Sequence, residues 1–141
     1  MHTVYLSLGT NLGNKEENLN SAIREIKRRI GTIKAQSAYL ETEPWGFQSP
    51  NTFLNAAVRV QTELTPHALL AATQDIEKLL GRTEKTQPAN GDTPVYHDRI
   101  IDIDILLYDD ITIHTPALSI PHPHMYERDF VLIPLSQIQE K

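Results

Sequence analysis

Near the start of the chain, the spacing of apolar residues changes from that of a strand to that of a helix. Apolar residues alternate with polar neighbours over Thr3–Leu8, which predicts a strand. The segment Gly9–Gly13 interrupts this alternation. From Asn14, which forms a capping box with Glu17, apolar residues recur at helical spacing until Gly31, where we expect the helix to end.

The rest of the chain continues this exchange between strand and helix patterns. The predicted elements are a strand over Ile33–Leu40, a strand over Phe53–Gln61, a helix from Thr65 to Gly81, a strand over Ile100–Tyr108, a short partner strand over Ile111–Ile113 after a turn, and a helix over Met125–Ile138. Two loops lie between them, Glu43–Asn51 and Arg82–His97. A loop as long as the second is unusual in a small domain and often serves function.

The order of the main elements is strand, helix, strand, strand, helix, strand. This order is typical of the ferredoxin-like (βαββαβ) sandwich, an α+β fold with helices on one face of an antiparallel sheet. With 141 residues and no internal repeat or linker, we expect residues 1–141 to form one domain. The pattern predicts a fold but does not identify a function.

Composition narrows the class of protein. Hydrophobic residues make up 40% of the chain and charged residues 22%, as expected of a globular protein. The chain contains no cysteine, which excludes disulfides and thiolate chemistry and fits a reducing cytoplasm. No apolar run is long enough to cross a membrane, and the formal net charge of -5 argues against a nucleic-acid partner.

Two aspartates on a predicted strand are the sharpest candidate for chemistry. Asp102 and Asp104 are two residues apart, so they share one face of the strand while the intervening isoleucines fill the other. Their roots lie ~7 Å apart, where bare charges repel by roughly 2 kcal/mol at an effective dielectric near 20. A divalent cation would remove that cost, and magnesium commonly uses one or two carboxylates with phosphate oxygens. A solvated acidic face would explain the pair equally well.

Arginines and histidines near loop boundaries are candidates for binding phosphate. Arg82, Arg99 and Arg128 carry guanidinium groups, which bind phosphate through two parallel hydrogen bonds, although each arginine alone is more often a surface charge. His122 could donate to a phosphate, whereas His124 is more easily explained as a polar loop residue.

Aromatic residues and one amide are candidates for a flat heteroaromatic ligand. Trp45, Phe47, Phe53 and Phe130 are expected in the core by default, but a planar ligand would take two such rings and one polar side chain reading its edge. Asn55 offers both a donor and an acceptor and shares a strand face with Phe53.

Several of these segments together resemble the hydroxymethyldihydropterin pyrophosphokinase family of folate synthesis. The matching segments occur in the family's order over nearly the whole chain: Ser7–Gly13, Thr42–Gly46, Phe53–Val58, Ile76–Glu77, Gly81–Arg82, Arg99–Ile105, Pro121–His122, Met125 and Arg128. The Arg-x-x-Asp-x-Asp segment followed by Pro-His is the most specific part of the match.

The resemblance implies a reaction: transfer of diphosphate from ATP to 6-hydroxymethyl-7,8-dihydropterin, with AMP as the other product. It implies that Asp102 and Asp104 hold two magnesium ions, and that Arg82 and Arg99 act on the moving phosphates. Asp104 would also be the candidate to help deprotonate the pterin hydroxyl. We expect a monomeric cytoplasmic enzyme.

The resemblance also implies how the two substrates are bound. The pterin would contact Thr42, Pro44, Trp45, Phe53, Asn55 and Phe130. ATP would contact Gln74, Glu77, Arg82, Arg99, Ile105, His122 and Arg128. For Gln74 and Glu77, three residues apart on a predicted helix, an ordinary surface role fits equally well. The loop Arg82–His97 would be the lid that excludes water.

The chain departs from the family pattern at four positions. Glu84 stands where a second arginine is expected, and Tyr96 stands where a tryptophan is expected. Ala117 replaces a basic residue and Pro123 an aromatic one near the nucleotide. The departures bear on turnover rate and nucleotide affinity more than on the class of reaction.

Two other functions share parts of this pattern. A ferredoxin-like regulatory module would bind the nucleotide without forming AMP. A magnesium-dependent phosphohydrolase would consume ATP without a pterin. Neither accounts for Asn55 and its aromatic neighbours together with the aspartate pair.

Overall fold

A five-stranded antiparallel sheet forms the centre of the molecule. The structure is a computed structural model that describes residues 1–42, 52–81, 100–123 and 129–139, without the side chains of residues 129 and 130. Its elements are β1 (His2–Thr10), α1 (Lys15–Arg29), β2 (Gly31–Gln36), β3 (Leu40–Thr42), β4 (Phe53–Thr62), α2 (Pro66–Leu79), β5 (Asp102–Tyr108), β6 (Ile113–His114), β7 (Ser119–Ile120) and α3 (Asp129–Ile138). The strand order is β2-β4-β1-β5, and β3 pairs with β4 beyond the end of β2, along the same edge of β4. The predicted ferredoxin-like fold is confirmed.

The two faces of the sheet carry different helices, so the expectation of helices on one face only is wrong. The first core lies between the sheet and the helices α1 and α2, and its fully buried side chains include Leu6, Leu8, Leu19, Ile26, Val58, Leu69 and Ile76. The second core lies on the other face under α3 and contains Ala57, Leu106, Val131, Leu135 and Ile138. The apolar pattern after Pro123 predicts a helix, but it does not show on which face of the sheet that helix packs.

The predicted second strand over Ile33–Leu40 is two strands. β2 ends at Gln36 and β3 begins at Leu40, and both pair with β4. At the break, the Ser37 hydroxyl accepts from the Ala57 amide at 2.9 Å, so a side chain replaces the backbone carbonyl of the ladder. The next amide, Ala38 N–H, donates to the side chain of Gln137 on α3.

Gly31 was expected to end the first helix, but it lies just beyond the helix and has a different role. The helix ends at Arg29, with Ile30 as its cap, and Gly31 is already the first residue of β2. A Cβ at Gly31 would lie 1.9 Å from the carbonyl oxygen of Gln61 on β4. Glycine is therefore required by the close approach of two strands.

The short strand after Asp109 and Asp110 does not pair with β5, which corrects the predicted partner strand over Ile111–Ile113. Instead β6 pairs with β7. Other groups contact the outer edge of β5: the amide of His122 donates to the carbonyl of Leu106 at 3.0 Å. Such contacts cover an edge strand that would otherwise expose unpaired backbone groups.

At the end of the sheet near the N-terminus, the Asp109 carboxylate connects the turn after β5 to β1. Asp109, at φ +50°, accepts from the Thr3 amide at 2.8 Å and contacts the His2 ring nitrogen at 2.7 Å. Burial alone would raise the pKa of Asp109, but the hydrogen bonds from Thr3 and His2 outweigh burial and hold that pKa below its ordinary value. The turn after β5 is thereby fixed against β1. None of the helices in the described ranges has the length and apolar character needed to cross a membrane.

Candidate active site

The part of the second face that lies beyond the α3 core is a trough with a floor of small residues. On the central strand β1, Ser7 and Gly9 alternate with the core residues Leu6 and Leu8 and therefore point to the opposite face. The neighbouring position on β4 is Ala57, which lies opposite Ser7. We call this feature the trough, with Ser7 and Gly9 as its floor.

The two walls of the trough follow from strand register. Gly9 lies directly opposite Asn55 on β4 and directly opposite Asp102 on β5. Ser7 lies opposite Asp104 on β5. With strands ~4.8 Å apart, the β4 wall and the β5 wall are separated by about 10 Å at the backbone. The sheet thus brings together an amide and two carboxylates that are about 50 residues apart in sequence.

The β4 wall holds Asn55 in a fixed orientation. Its side chain is 2% exposed, and Nδ2 donates to the Thr42 hydroxyl at 2.7 Å and to the Leu40 carbonyl at 3.3 Å. Both amide protons are therefore used within the fold. An added Cβ at Gly9 would lie 3.1 Å from Asn55 Oδ1 and 3.7 Å from Phe53 Cδ1, so both side chains lean over the floor of the trough.

The β5 wall places Asp102 and Asp104 side by side. Both are half-buried on the trough face, whereas Ile103 between them is buried in the first core. From α2, Glu77 Oε2 accepts from the Ile103 amide at 2.8 Å. Because this amide points outward to Glu77, the backbone groups of the two aspartates point inward to β1. Glu77 therefore fixes the strand between the two carboxylates.

The aspartate pair fits a hard divalent cation. The two carboxylates lie on one face of the strand, and the paired backbone holds them near each other. Their negative charges repel unless a cation lies between or beside them. Within the described residues, no cluster of three or more His, Asp and Glu side chains forms a complete protein cage. Two carboxylates with open positions suit magnesium, which keeps sites for water and phosphate oxygens.

The other predicted nucleotide residues lie around the outer edge of β5. Gln74 and Glu77 share a face of α2, and both are half-buried. His122 is half-buried at the point where its amide meets Leu106. Ile105 is 4% exposed and packs in the first core. Any contact of Ile105 with a nucleotide would therefore use its backbone.

A lysine ties the two ends of the β3–β4 connection. Lys15 Nζ donates to the Thr52 hydroxyl at 3.1 Å and to the Thr52 carbonyl at 3.2 Å, and lies 3.5 Å from Glu41 Oε2. Glu41 and Thr52 directly precede the site residues Thr42 and Phe53. A cation in the first turn of a helix works against the helix dipole, so Lys15 is explained by these contacts and not by helix stability.

Several predicted site residues lie outside the described residues. These are Pro44, Trp45, Arg82, Arg99, Arg128, the side chain of Phe130, the departures Glu84 and Tyr96, and the predicted lid Arg82–His97. Of the other departures, Ala117 and Pro123 are exposed. The described part of the site consists of Thr42, Phe53, Asn55, Gln74, Glu77, Asp102, Asp104, Ile105 and His122.

The trough also contains residues that sequence reasoning did not single out. The place of Ser7 on the floor follows from the strand alternation that predicts β1. Gly9 was expected to interrupt that strand, but β1 continues to Thr10 and Gly9 pairs with both neighbouring strands. Lys15 carries no local signal, because its partners come from a different part of the chain. The arrangement can hold a planar ligand on the β4 wall and a metal-bound phosphate chain on the β5 wall, with reacting atoms between them.

Comparison with known proteins gives a consistent match. The sequence profile of the 7,8-dihydro-6-hydroxymethylpterin-pyrophosphokinase (HPPK) family matches residues 5–140. The chain is 50% identical over 139 residues to the 2-amino-4-hydroxy-6-hydroxymethyldihydropteridine pyrophosphokinase of Porphyromonas gingivalis, covering 98% of this chain and 91% of that protein. It is 40% identical over 135 residues to the protein of the same name from Bacillus subtilis, covering 95% and 76%.

Solved structures agree with the fold. The wild-type HPPK-DHPS protein of Plasmodium falciparum superposes with a TM-score of 0.74 at 19% identity. The match covers 98% of this chain but spans only 40% of that one. At this identity the likeness concerns the fold alone.

Proposed function

The chain belongs to the 7,8-dihydro-6-hydroxymethylpterin-pyrophosphokinase family, and we propose that the trough is the site of the family's reaction. The chain is an enzyme of folate biosynthesis that transfers diphosphate from ATP to 6-hydroxymethyl-7,8-dihydropterin, giving AMP and the pterin diphosphate. The observation that carries the residue assignments is the register that places Asn55 and Asp102 on either side of Gly9.

The pterin lies against the β4 wall. Asn55 Oδ1 points over Gly9 while both protons of the amide are held by Thr42 and Leu40, so the acceptor is the part of this side chain offered to a ligand. A pterin edge carries N–H donors that match such an acceptor. Phe53 supplies an apolar surface beside it. Pro44, Trp45 and Phe130 join this pocket by resemblance to the family.

The ATP phosphates lie against the β5 wall. We propose that Asp102 and Asp104 hold two magnesium ions together with phosphate oxygens. When bound, magnesium would neutralise the charge of the phosphates and orient them for displacement. Glu77 holds the backbone between the two aspartates through Ile103. Gln74, His122 and the backbone of Ile105 contact the nucleotide, and Arg82, Arg99 and Arg128 contact phosphate, by resemblance to the family.

The residues of the trough promote diphosphate transfer mainly by positioning the substrates and by neutralising charge. The hydroxymethyl oxygen of the pterin attacks the β-phosphorus of ATP, the bond from that phosphorus to the α,β-bridging oxygen breaks, and AMP leaves with that oxygen. The hydroxyl proton must leave during attack. By resemblance to the family, Asp104 is the candidate to accept this proton, but a carboxylate engaged by a metal is a weak base, so we assign it to positioning first. Holding both substrates in line is the larger contribution.

A single-domain enzyme is part of the same proposal. The sheet combines strands from His2 to Tyr108, and α3, near the end of the described residues, completes the second core, which supports one domain over residues 1–141. We also propose that the enzyme is a monomer and that it acts in the cytoplasm, whose reducing environment suits a chain without cysteine. Light scattering during gel filtration would test the monomer.

AMP formation tests the assignment of the carboxylates. We would incubate ATP, magnesium and 6-hydroxymethyl-7,8-dihydropterin with the wild-type protein and with an Asp102→Asn, Asp104→Asn double variant. We expect AMP only when the pterin is present, and a loss of at least a thousandfold in the double variant without loss of thermal stability. Asp75→Asn and Asp110→Asn, on exposed residues, are matched controls expected to keep full activity.

The same assay separates the rival functions. AMP or ADP formed from ATP without pterin would favour a phosphohydrolase. Binding of both substrates without AMP would favour a regulatory module. A double variant that keeps its activity would show that the metal is held elsewhere.

A further inference from the structure

Ser7 has a buried hydroxyl without a partner among the residues that the structure describes. Its exposed fraction is 6%, and no hydrogen bond to its side chain is found in that part of the chain. The other buried hydroxyls are paired: Thr10 accepts from Asn18, Thr62 donates to Ile30, and Thr73 donates to Leu70. A buried hydroxyl without a partner costs about 1–3 kcal/mol, so its presence on the trough floor calls for a partner that it gains in the substrate-bound enzyme.

The strand register identifies the group nearest to this hydroxyl. Ser7 is directly opposite Asp104 on one side and Ala57 on the other. Because the Ile103 amide points away to Glu77, Ser7 and Asp104 form a hydrogen-bonded strand pair, whose Cα atoms lie about 5.5 Å apart. Ala57 offers no polar atom. Directly opposite residues of an antiparallel pair have Cβ atoms about 4.5–5.5 Å apart, a separation that a serine hydroxyl and an aspartate carboxylate can span.

We propose that Ser7 is a positioning residue that donates its hydroxyl proton to Asp104 in the substrate-bound enzyme. This inference rests on the proposed role of Asp104 as a metal ligand. A carboxylate accepts at about four lone-pair positions, so a hydrogen bond to one oxygen leaves the other free for the cation and leaves room for other partners. Hydrogen bonds to ligating carboxylates orient them, and their loss commonly weakens metal binding 10- to 100-fold.

Metal affinity tests the proposal without relying on turnover. We would measure Mn²⁺ binding by electron paramagnetic resonance in the presence of α,β-methylene-ATP, whose α,β linkage cannot be cleaved, for the wild type, Ser7→Ala and Ser7→Thr. We expect Ser7→Ala to weaken Mn²⁺ binding about tenfold. Ser7→Thr keeps a hydroxyl on the same strand position and should recover most of the affinity. Pterin affinity, measured by pterin fluorescence, should stay within about twofold of wild type in both variants.

A second buried serine provides the matched control. The Ser37 hydroxyl accepts from Ala57 and donates to Ala38, so it has a structural role. Ser37→Ala should lower thermal stability and leave Mn²⁺ affinity unchanged, whereas Ser7→Ala should leave thermal stability unchanged or slightly raised. A fall in stability for Ser7→Ala equal to that of Ser37→Ala would overturn the proposal.

The other outcomes are equally decisive. Unchanged Mn²⁺ affinity in Ser7→Ala, together with a loss in Asp104→Asn, would reject the role of Ser7 and leave the metal site standing. Unchanged affinity in both variants would reject the proposed metal site itself. A loss of pterin affinity in Ser7→Ala, with Mn²⁺ binding intact, would contradict the proposal and place the hydroxyl against the pterin.

Discussion

The two faces of the central sheet are built from the same strands but serve different ends. On the first face, Leu6, Leu8, Val58 and their neighbours are fully buried against α1 and α2. On the second face, α3 covers one half, and the other half presents a floor of Ser7 and Gly9 between polar walls. The first face is therefore apolar throughout, whereas the part of the second face beyond α3 carries small, polar and charged residues.

This difference separates stability from function along each strand. From Leu6 to Gly9 in β1 and from Asp102 to Ile105 in β5, successive residues alternate between the first core and the trough, so adjacent residues carry different roles. A substitution in the core should therefore change the free energy of unfolding with little effect on the folded site. A substitution in the trough should change binding with little effect on unfolding.

The largest expected effect concerns the first face. Leu6→Ala removes a side chain that is 0% exposed and leaves a cavity, so we expect a loss of about 2–5 kcal/mol in the free energy of unfolding, measured by urea denaturation. The ratio kcat/KM per folded molecule should stay within about twofold. Leu79→Ala, at a leucine that is 54% exposed, is the control and should change stability by less than about 0.5 kcal/mol. A large fall in kcat/KM for folded Leu6→Ala would break the separation.

An intermediate effect is expected on the trough floor. The Cβ of Gly9→Ala would lie 3.1 Å from Asn55 Oδ1, so the amide must shift, and we expect pterin affinity to fall about tenfold while affinity for α,β-methylene-ATP changes less than twofold. Fluorescence titration and calorimetry measure the two affinities. The same change at Gly31 meets the Gln61 backbone at 1.9 Å and should lower stability instead. If Gly9→Ala lowered the affinities for both ligands equally, the assignment of the pterin to the β4 wall and of the nucleotide to the β5 wall would be contradicted.

The smallest effect concerns the end of the sheet away from the trough. Asp109→Asn keeps a residue type that tolerates positive φ but removes the charge that His2 and the Thr3 amide contact. Because the pKa of Asp109 is lowered in the folded protein, its charge stabilises the fold above the unfolded pKa of about 4, and this contribution is lost as pH falls through the lower folded pKa. The exposed position limits the effect to less than about 1 kcal/mol.

Thermal unfolding at several pH values measures this contribution. The difference in stability between wild type and Asp109→Asn should be full at pH 7 and disappear at low pH. Substrate affinities should not change. A difference that grows as the pH falls would contradict the assignment.

Much of this organisation is local and could be predicted from the sequence. The alternation of Thr3–Leu8, the cap at Asn14 and the proline after Thr65 act within a few residues, and the structure places β1, α1 and α2 accordingly. The shared face of Asp102 and Asp104 follows from the same alternation. Those features depend on neighbours in the chain.

The features that the sequence did not reveal depend on distant partners. The break at Ser37 needs the Ala57 amide, and the packing of α3 on the second face needs a surface built from four strands. Glu77 was expected near the nucleotide, but its contact with the Ile103 amide depends on how α2 lies against the edge of β5. No spacing within a single element encodes such contacts.

Crossed binding measurements would show whether the two walls of the trough bind different substrates. We would measure the affinities for the pterin and for magnesium with α,β-methylene-ATP in Asn55→Ala and in Asp102→Asn, both checked for thermal stability. We expect Asn55→Ala to weaken pterin affinity at least tenfold and to leave nucleotide affinity within about twofold of wild type, and we expect Asp102→Asn to do the reverse. If each variant weakened both ligands equally, or if Asp102→Asn left the metal-nucleotide affinity unchanged, the assignment of the two walls would be contradicted.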